Sequence, residues 1–262
     1  MSLQPVLLSW GSFIFGLCVL GFVSVLDFKT RRVSNWVWVF AYPIGCAMTL
    51  AGIALDLVGA SVVLVSLGGT LFLGLVLVCS GFYGSADVKA LIFIGLTTPT
   101  VPVTVEFALG VSALPVVLVV FCNSALLSLI WPISIFILNL KDLLKREPMF
   151  EGITLTIRQK ILLLFTARLI PIDKFGELGY FPAETVVVVV QDKEHKPTRK
   201  LLRLVKAETD LEKYQYTLKK YSTLYPNGVL ASPTIPTMVF FTLALAIAPL
   251  GHLVFLVGCF LV

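Results

Sequence analysis

The chain has 262 residues, 58% of them hydrophobic and only 13% charged, with a formal net charge of +5 and a mean hydropathy of +0.97. A water-soluble domain carries about 25% charged residues. About half that share cannot cover a soluble body of this size, and disorder needs the opposite composition, so lipid is the expected solvent.

The N-terminal MSLQP has no Lys or Arg, and the apolar run after it outlasts the 7–15 residues of a signal-peptide core, so no cleavable signal is expected. The first run, Val6 to Leu26, would reach roughly 32 Å as a helix, one bilayer core. The polar break Asp27-Phe28-Lys29-Thr30-Arg31-Arg32-Val33-Ser34-Asn35 follows. The second run is Trp36 to Leu55, with Trp36 and Trp38 suited to an interface belt. After a turn at Asp56–Ala60 comes the third run, Ser61 to Ser80, and then Gly81-Phe82-Tyr83-Gly84-Ser85-Ala86-Asp87.

The fourth segment, Val88 to Thr98, is short and stops before Pro99 and Pro102. It covers only about 17 Å, so it starts inside the membrane or tilts within a bundle. The fifth run, Val111 to Leu140, holds Pro115 and Pro132, where kinks are expected. The sixth starts at Pro236.

Residues 141–235, between the last two runs, have ordinary soluble composition. The stretch Thr185–Gln191 reads as a strand and Leu201–Ala207 as a second. Arg158–Leu169 and Leu211–Tyr221 read as amphipathic helices. The expected fold is a membrane protein: an all-α bundle of six transmembrane helices, with a small α+β cytoplasmic domain inserted before the last. Residues 1–140 carry spans one to five, residues 141–235 the soluble domain, and residues 236–262 span six.

The five cysteines, Cys18, Cys46, Cys79, Cys122 and Cys259, all lie in apolar runs without a C-x-x-C pair, and are read as packing residues. With only His195 and His252 available, no metal site is expected. Orientation follows from the cations. The loop after run one holds Lys29, Arg31 and Arg32, Lys89 follows run three, and the other sixteen lie after run five. In a six-span chain all twenty share one side, which the positive-inside rule makes cytoplasmic, with both termini outside. The Lys-rich insert is read as a solvated face near anionic lipid rather than a nucleic-acid patch. Asn123, Ser124 and Ser128 in run five are read as interhelical hydrogen bonders, and His252 as structural.

Acidic residues at membrane depth are costly and usually functional. Asp27 ends span one, two crossings return the chain to the same side, and Asp87 opens span four. Parity therefore puts Asp27 and Asp87 on one face and Asp56 and Glu106 on the other. Two carboxylates in close approach share one proton. The ionised member takes a proton from water as it attacks a carbonyl, and the protonated member donates to the tetrahedral oxygen. Gly84-Ser85-Ala86 beside Asp87 would let a substrate backbone approach. Taken singly, Asp87 also reads as a helix cap and Asp27 as a juxtamembrane ion pair with Lys29 and Arg31.

The stretch from Asp27 to Asn35, with Arg31 and Val33 between, resembles the D-x-x-x-R-x-[IV]-P-N loop of type IV prepilin peptidases. Gly84-Ser85-Ala86-Asp87, followed by Lys89, resembles their G-x-G-D or G-x-x-D motif, and Ser232-Pro233-Thr234-Ile235-Pro236 is similar to a T-P-x-I-P of the archaeal branch, the preflagellin peptidases. Ser34 stands where that family has Pro, and Ala86 where the bacterial motif has its second Gly. The resemblance implies an aspartic endopeptidase, without cofactor, with Asp27 and Asp87 as its catalytic pair. Gly84, Ser85, Ala86, Arg31, Asn35 and Lys89 would line the substrate path. Arg31 would otherwise steady its loop, and Lys89 would tune the pair or meet a lipid headgroup. The implied partners are membrane-inserted preflagellin or prepilin precursors, cut after Gly at the cytoplasmic face of the cell membrane, the substrate helix lying beside spans one and four. The cysteine-rich segment that accompanies methyl transfer in the bacterial enzymes is not found in this sequence. A presenilin-type protease would show a P-A-L motif, absent here. A proton-coupled carrier would bury its acid at mid-membrane, and a membrane scaffold would need no acid pair.

Overall fold

The structure, a computed structural model, describes residues 3–80, 83–100, 115–145, 149–176, 180–191, 194–201 and 211–250. Gly81, Phe82, Glu106, His252, Cys259 and most of the expected Leu201–Ala207 strand lie outside them. The chain divides into two compact units, residues 1–128 with 236–262, and residues 129–235.

The first unit is helical: α1 (Leu3–Thr30), α2 (Asn35–Ala54), α3 (Ala60–Ser80), α4 (Ser85–Thr97), α5 (Val116–Ser128) and α9 (Thr237–Ile247). In lipid the helix is the way these long apolar runs pair their backbone groups within one segment, and α2 carries Pro43 inside it. Four described helical stretches are long and apolar enough to cross a membrane: Leu7–Thr30, Asn35–Ala54, Ala60–Ser80 and Val116–Leu144. The described part of the sixth run, α9, has 11 residues.

The two short helices form the centre. Leu91, Phe93 and Ile94 of α4 and Phe241, Ala244 and Leu245 of α9 are buried, with Leu20 and Val23 of α1, Trp38 of α2 and Val117 and Val120 of α5 around them. The outward faces of the long helices stay apolar and exposed, as with Leu64, Leu71, Phe72 and Leu75 of α3, which is what a lipid solvent requires.

The inner end of α4 shows how so short a helix can stop inside a bundle. The last carbonyls of a helix have no partner of their own. Ser66 Oγ of α3 donates to the Gly95 carbonyl at 3.0 Å, and Thr49 Oγ1 of α2 to the Leu96 carbonyl at 2.5 Å. The neighbouring helices thus cap α4. A side chain on Gly95 would collide with Thr70 of α3, so glycine is needed there for close approach rather than for conformation.

Three expected boundaries are corrected. α1 does not end at Leu26 but runs on to Thr30, so Asp27 lies within its last turn. Asp27 still offers its carbonyl to the Arg31 N–H (3.0 Å), and Thr30 Oγ1 bonds back to the Leu26 carbonyl (2.8 Å). α4 starts at Ser85, three residues earlier than expected, because Gly84 in an extended conformation begins it. The fifth run breaks at Leu129, and α6 (Ile130–Leu144) follows. Pro132, without an N–H for the Ser128 carbonyl, belongs in the first turn of the new helix.

The second unit is α+β. After α6 come α7 (Ile157–Thr166), β1 (Arg168–Ile170), β2 (Tyr180–Pro182), β3 (Glu184–Gln191), β4 (Glu194–Leu201), α8 (Leu211–Lys220) and β5 (Val229–Pro233). Strand β5 lies between β1 and β2, antiparallel to both, and β3 pairs with β4 as a hairpin. Leu169, expected in a helix, is in β1: α7 ends at Thr166, and extended Ala167 turns the chain into the strand. Phe136 of α6 stacks on Phe165 of α7 at 4.5 Å. Asn139 of α6 donates to the Leu164 and Ala167 carbonyls at 2.9 and 2.7 Å, capping α7.

Candidate active site

Each element of the first unit that carries a candidate residue is set by local chemistry. Asp27 stands in the last turn of α1, half-buried. Arg31 closes that helix in the left-handed region, φ 53°, a conformation uncommon for a side-chain-bearing residue. Its guanidinium lies 6.0 Å over the Phe28 ring, and its charge acts on Asp27. Ser34, the departure from the family's proline, has a clear role. It is the N-cap of α2, and its side chain accepts the Trp36 N–H at 3.4 Å. A serine fits because it satisfies an orphan donor of the helix start.

Asp87 is in the first turn of α4 and 8% exposed. Its Oδ2 accepts the Gly84 N–H at 2.8 Å, so the carboxylate caps its own helix from inside rather than from the N-cap position. The φ of Gly84, −78°, is one any residue adopts. A Cβ there would lie 3.4 Å from Asp87 Oδ2, an ordinary contact, so the helix start itself does not require glycine. Gly84 and Ser85 are exposed and Ala86 is half-buried against the core.

The other oxygen of Asp87, Oδ1, accepts from Thr237 Oγ1 at 2.5 Å. The backbone N–H of Met238, one residue further along α9, acts electrostatically on Asp27, whose Oδ2 is buried without a hydrogen-bond partner. The two acids are within electrostatic reach of each other. Residues 27, 87 and 237–238, far apart in sequence, thus meet at one locus. Among the described residues no Lys or Arg forms an ion pair with either aspartate.

Asn35 and Lys89 also come together: Lys89 Nζ donates to Asn35 Oδ1 at 2.7 Å, tying the start of α2 to α4. Tyr42 adds a second tie, donating to the Lys89 carbonyl at 2.9 Å. Asp56 is exposed beyond the far end of α2, about 30 Å along that helix from the Asp27 loop. Ser124 and Ser128 bond back to carbonyls of their own helix, Phe121 and Ala125, rather than across helices as expected.

Thr237 was missed. The Ser232–Pro236 motif points to it without including it, and the available signal was a hydroxyl residue directly after a helix-starting proline.

The chemistry open to this locus is proton transfer between two carboxylates and a polarised water. Asp87 has both oxygens hydrogen-bonded and no cation to fix its charge, while Asp27 keeps a free oxygen beside it. Residues 14–133 match the model of the type IV leader peptidase family. This bears out the resemblance carried by the two aspartate motifs, both of which fall in the matched stretch. Over these residues the chain is similar to that peptidase family, and four described apolar helices are those of a multi-pass membrane protein. No curated protein matches the chain.

Proposed function

We propose that the protein is an aspartic endopeptidase of the membrane, which removes the short basic leader of flagellin-like or type IV pilin-like precursors, after Gly, at the cytoplasmic face. The observation that carries this reading is the approach of Asp27 and Asp87 to one helix start, with no described Lys or Arg in an ion pair with either. Asp27 and Asp87 share one proton. Water attacks the scissile carbonyl as the ionised carboxylate takes its proton, the protonated one donates to the carbonyl oxygen, and a proton then passes to the leaving amine. The titration belongs to the pair. Gly84, Ser85 and Ala86 admit the substrate backbone, while Arg31, Asn35 and Lys89 border the entrance.

The layout we propose has six spans, with α4 and the helix begun by α9 as the fourth and sixth, and residues 141–235 in the cytoplasm. The segregation of all basic residues supports it. A reporter active only in the cytoplasm, inserted after Gln191, should be active, and silence there would reverse the orientation.

The activity is tested by incubating membranes containing the protein with a precursor that joins a basic, Gly-ending leader to an apolar helix. A new N-terminus directly after the Gly is expected. An uncut precursor, or cleavage within the apolar helix, would refute the reading.

A further inference from the structure

The first turn of α9 lies outside the family-matched stretch, yet it lies beside both acids. Thr237 Oγ1 donates to Asp87 Oδ1, and the Met238 N–H is close enough to act electrostatically on Asp27. The turn is itself fixed. Pro236 begins it and accepts the Val239 N–H at 3.1 Å, and one turn on Thr242 Oγ1 and Ser24 Oγ of α1 lie 2.7 Å apart. Phe241, Ala244 and Leu245 then anchor α9 in the core. The helix therefore cannot shift without breaking buried contacts, and its first turn keeps a fixed place beside the two acids.

From this geometry we propose that Thr237 is a positioning residue for the peptidase reaction. Its hydroxyl holds the Asp87 carboxyl at the helix start beside which Asp27 also lies. A hydroxyl suits the task because it both donates and accepts. It donates to Asp87 while the carboxylate is ionised and accepts from it when the proton arrives, so the contact survives both halves of the cycle. A lysine there would favour the ionised form throughout, and an apolar residue would leave one buried oxygen unpartnered. The proposal rests on the reading of Asp27 and Asp87 as the catalytic pair.

The test is steady-state cleavage of a leader–helix precursor by the full-length protein in vesicles. Thr237→Val keeps the shape and removes the hydroxyl, Thr237→Ala removes it without adding bulk, and Thr237→Ser keeps it. Val and Ala should each lower kcat by about tenfold or more with KM within about twofold, while Ser should stay within about threefold of the parent. Should the Val protein fail to accumulate in the membrane, the comparison of Ala with Ser decides. Wild-type kcat in either Val or Ala would overturn the proposal, as would a Ser protein no better than Ala. Asp87→Asn, measured alongside, separates the two levels. If it cleaves normally, the catalytic pair is wrong. If it is inactive while Thr237→Ala cleaves normally, only the role of Thr237 falls.

Discussion

Each unit buries a carboxylate, and the two are treated in opposite ways. Glu184, at the start of β3, is completely buried. Arg199 on β4 grips it in a two-point fork, Nε to Oε2 and Nη2 to Oε1 at 2.8 Å each, and the Leu230 N–H adds a third bond at 2.6 Å. The hairpin register pairs Glu184 with Leu201 and Val186 with Arg199, which sets the two charged residues diagonally across one face. Arg199 also reaches the Glu151 and Leu224 carbonyls and lies over the Tyr225 ring at 4.6 Å. Glu184 is thus neutralised, its acceptors are filled, and its role is to tie strands together. Asp87 receives only uncharged donors, and its charged neighbour is another acid. A carboxylate held by a cation keeps the fold, whereas one held by neutral donors beside a second acid is free to gain and lose a proton.

The largest effect should come from the acids of the first unit. Asp27→Asn and Asp87→Asn each keep size but remove the titrating oxygen, so each should lower cleavage by about a thousandfold or more, with the double variant little worse. Both proteins should still accumulate in the membrane, because losing a costly charge at membrane depth does not unfold a bundle. Precursor cleavage by membrane-inserted protein is the measurement, and a normal rate in either single variant would end the comparison.

Glu184 should behave the other way. Glu184→Ala leaves Arg199 buried without its partner and should cost the second unit about 3–5 kcal/mol. The double change Glu184→Leu with Arg199→Met should cost less than either Glu184→Ala or Arg199→Met alone, since it removes both charges together. Protease resistance of the purified protein along a urea series reads this directly. Equal losses in single and double variants would mean that the pair is not the tie described.

A finer contrast lies between two tyrosines. Tyr214 donates to the Glu184 carbonyl, while the buried Tyr225 hydroxyl has no partner. Burial, the largest cause, pushes both hydroxyls above their usual range. The folded state therefore holds these protons more tightly than the unfolded chain does. The corresponding stability is complete below pH about 10, the unfolded value, and is lost as pH rises through the folded one. Melting temperature should accordingly fall above pH 10. At pH 7, Tyr214→Phe should cost about 1 kcal/mol, while Tyr225→Phe should be near neutral or stabilising, because it removes an unpaired buried hydroxyl. Equal losses in the two would contradict this assignment of partners.

The nearness of Asp27 and Asp87 was legible from motif and from the order of the spans, although the apolar runs misplaced the end of α1 by four residues and the start of α4 by three. The stretch Thr185–Gln191 announced β3, and a helix was read where α8 is described, since both patterns are local. Strands β1, β2 and β5 were not legible. Each is three to five residues long, and pairing among segments about 50–60 residues apart leaves no periodicity to read. The Glu184–Arg199 tie was hidden for the same reason, as it depends on hairpin register. Thr237 escaped because a single hydroxyl beside a proline has no pattern until α9 is packed against α1 and α4.

The smallest expected effect is at Asp56, and it sharpens the comparison by asking whether any acid near a helix end would serve. Asp56 follows α2 in the left-handed region, φ 54°, with its N–H on the Ile53 carbonyl at 3.0 Å. Its side chain is exposed, and no described cation pairs with it. Asparagine tolerates that backbone conformation as well as aspartate does, so Asp56→Asn should leave both fold and backbone turn intact. It lies beyond the opposite end of α2 from the Asp27 loop, so no substrate bound at Asp27 and Asp87 would meet it. Cleavage should stay within about twofold of the parent, measured with the same precursor and membranes as the Asp27 and Asp87 variants. A loss comparable to theirs would mean that the reacting bond sits at the other face, and that the parity joining Asp27 to Asp87 had been counted on the wrong helices.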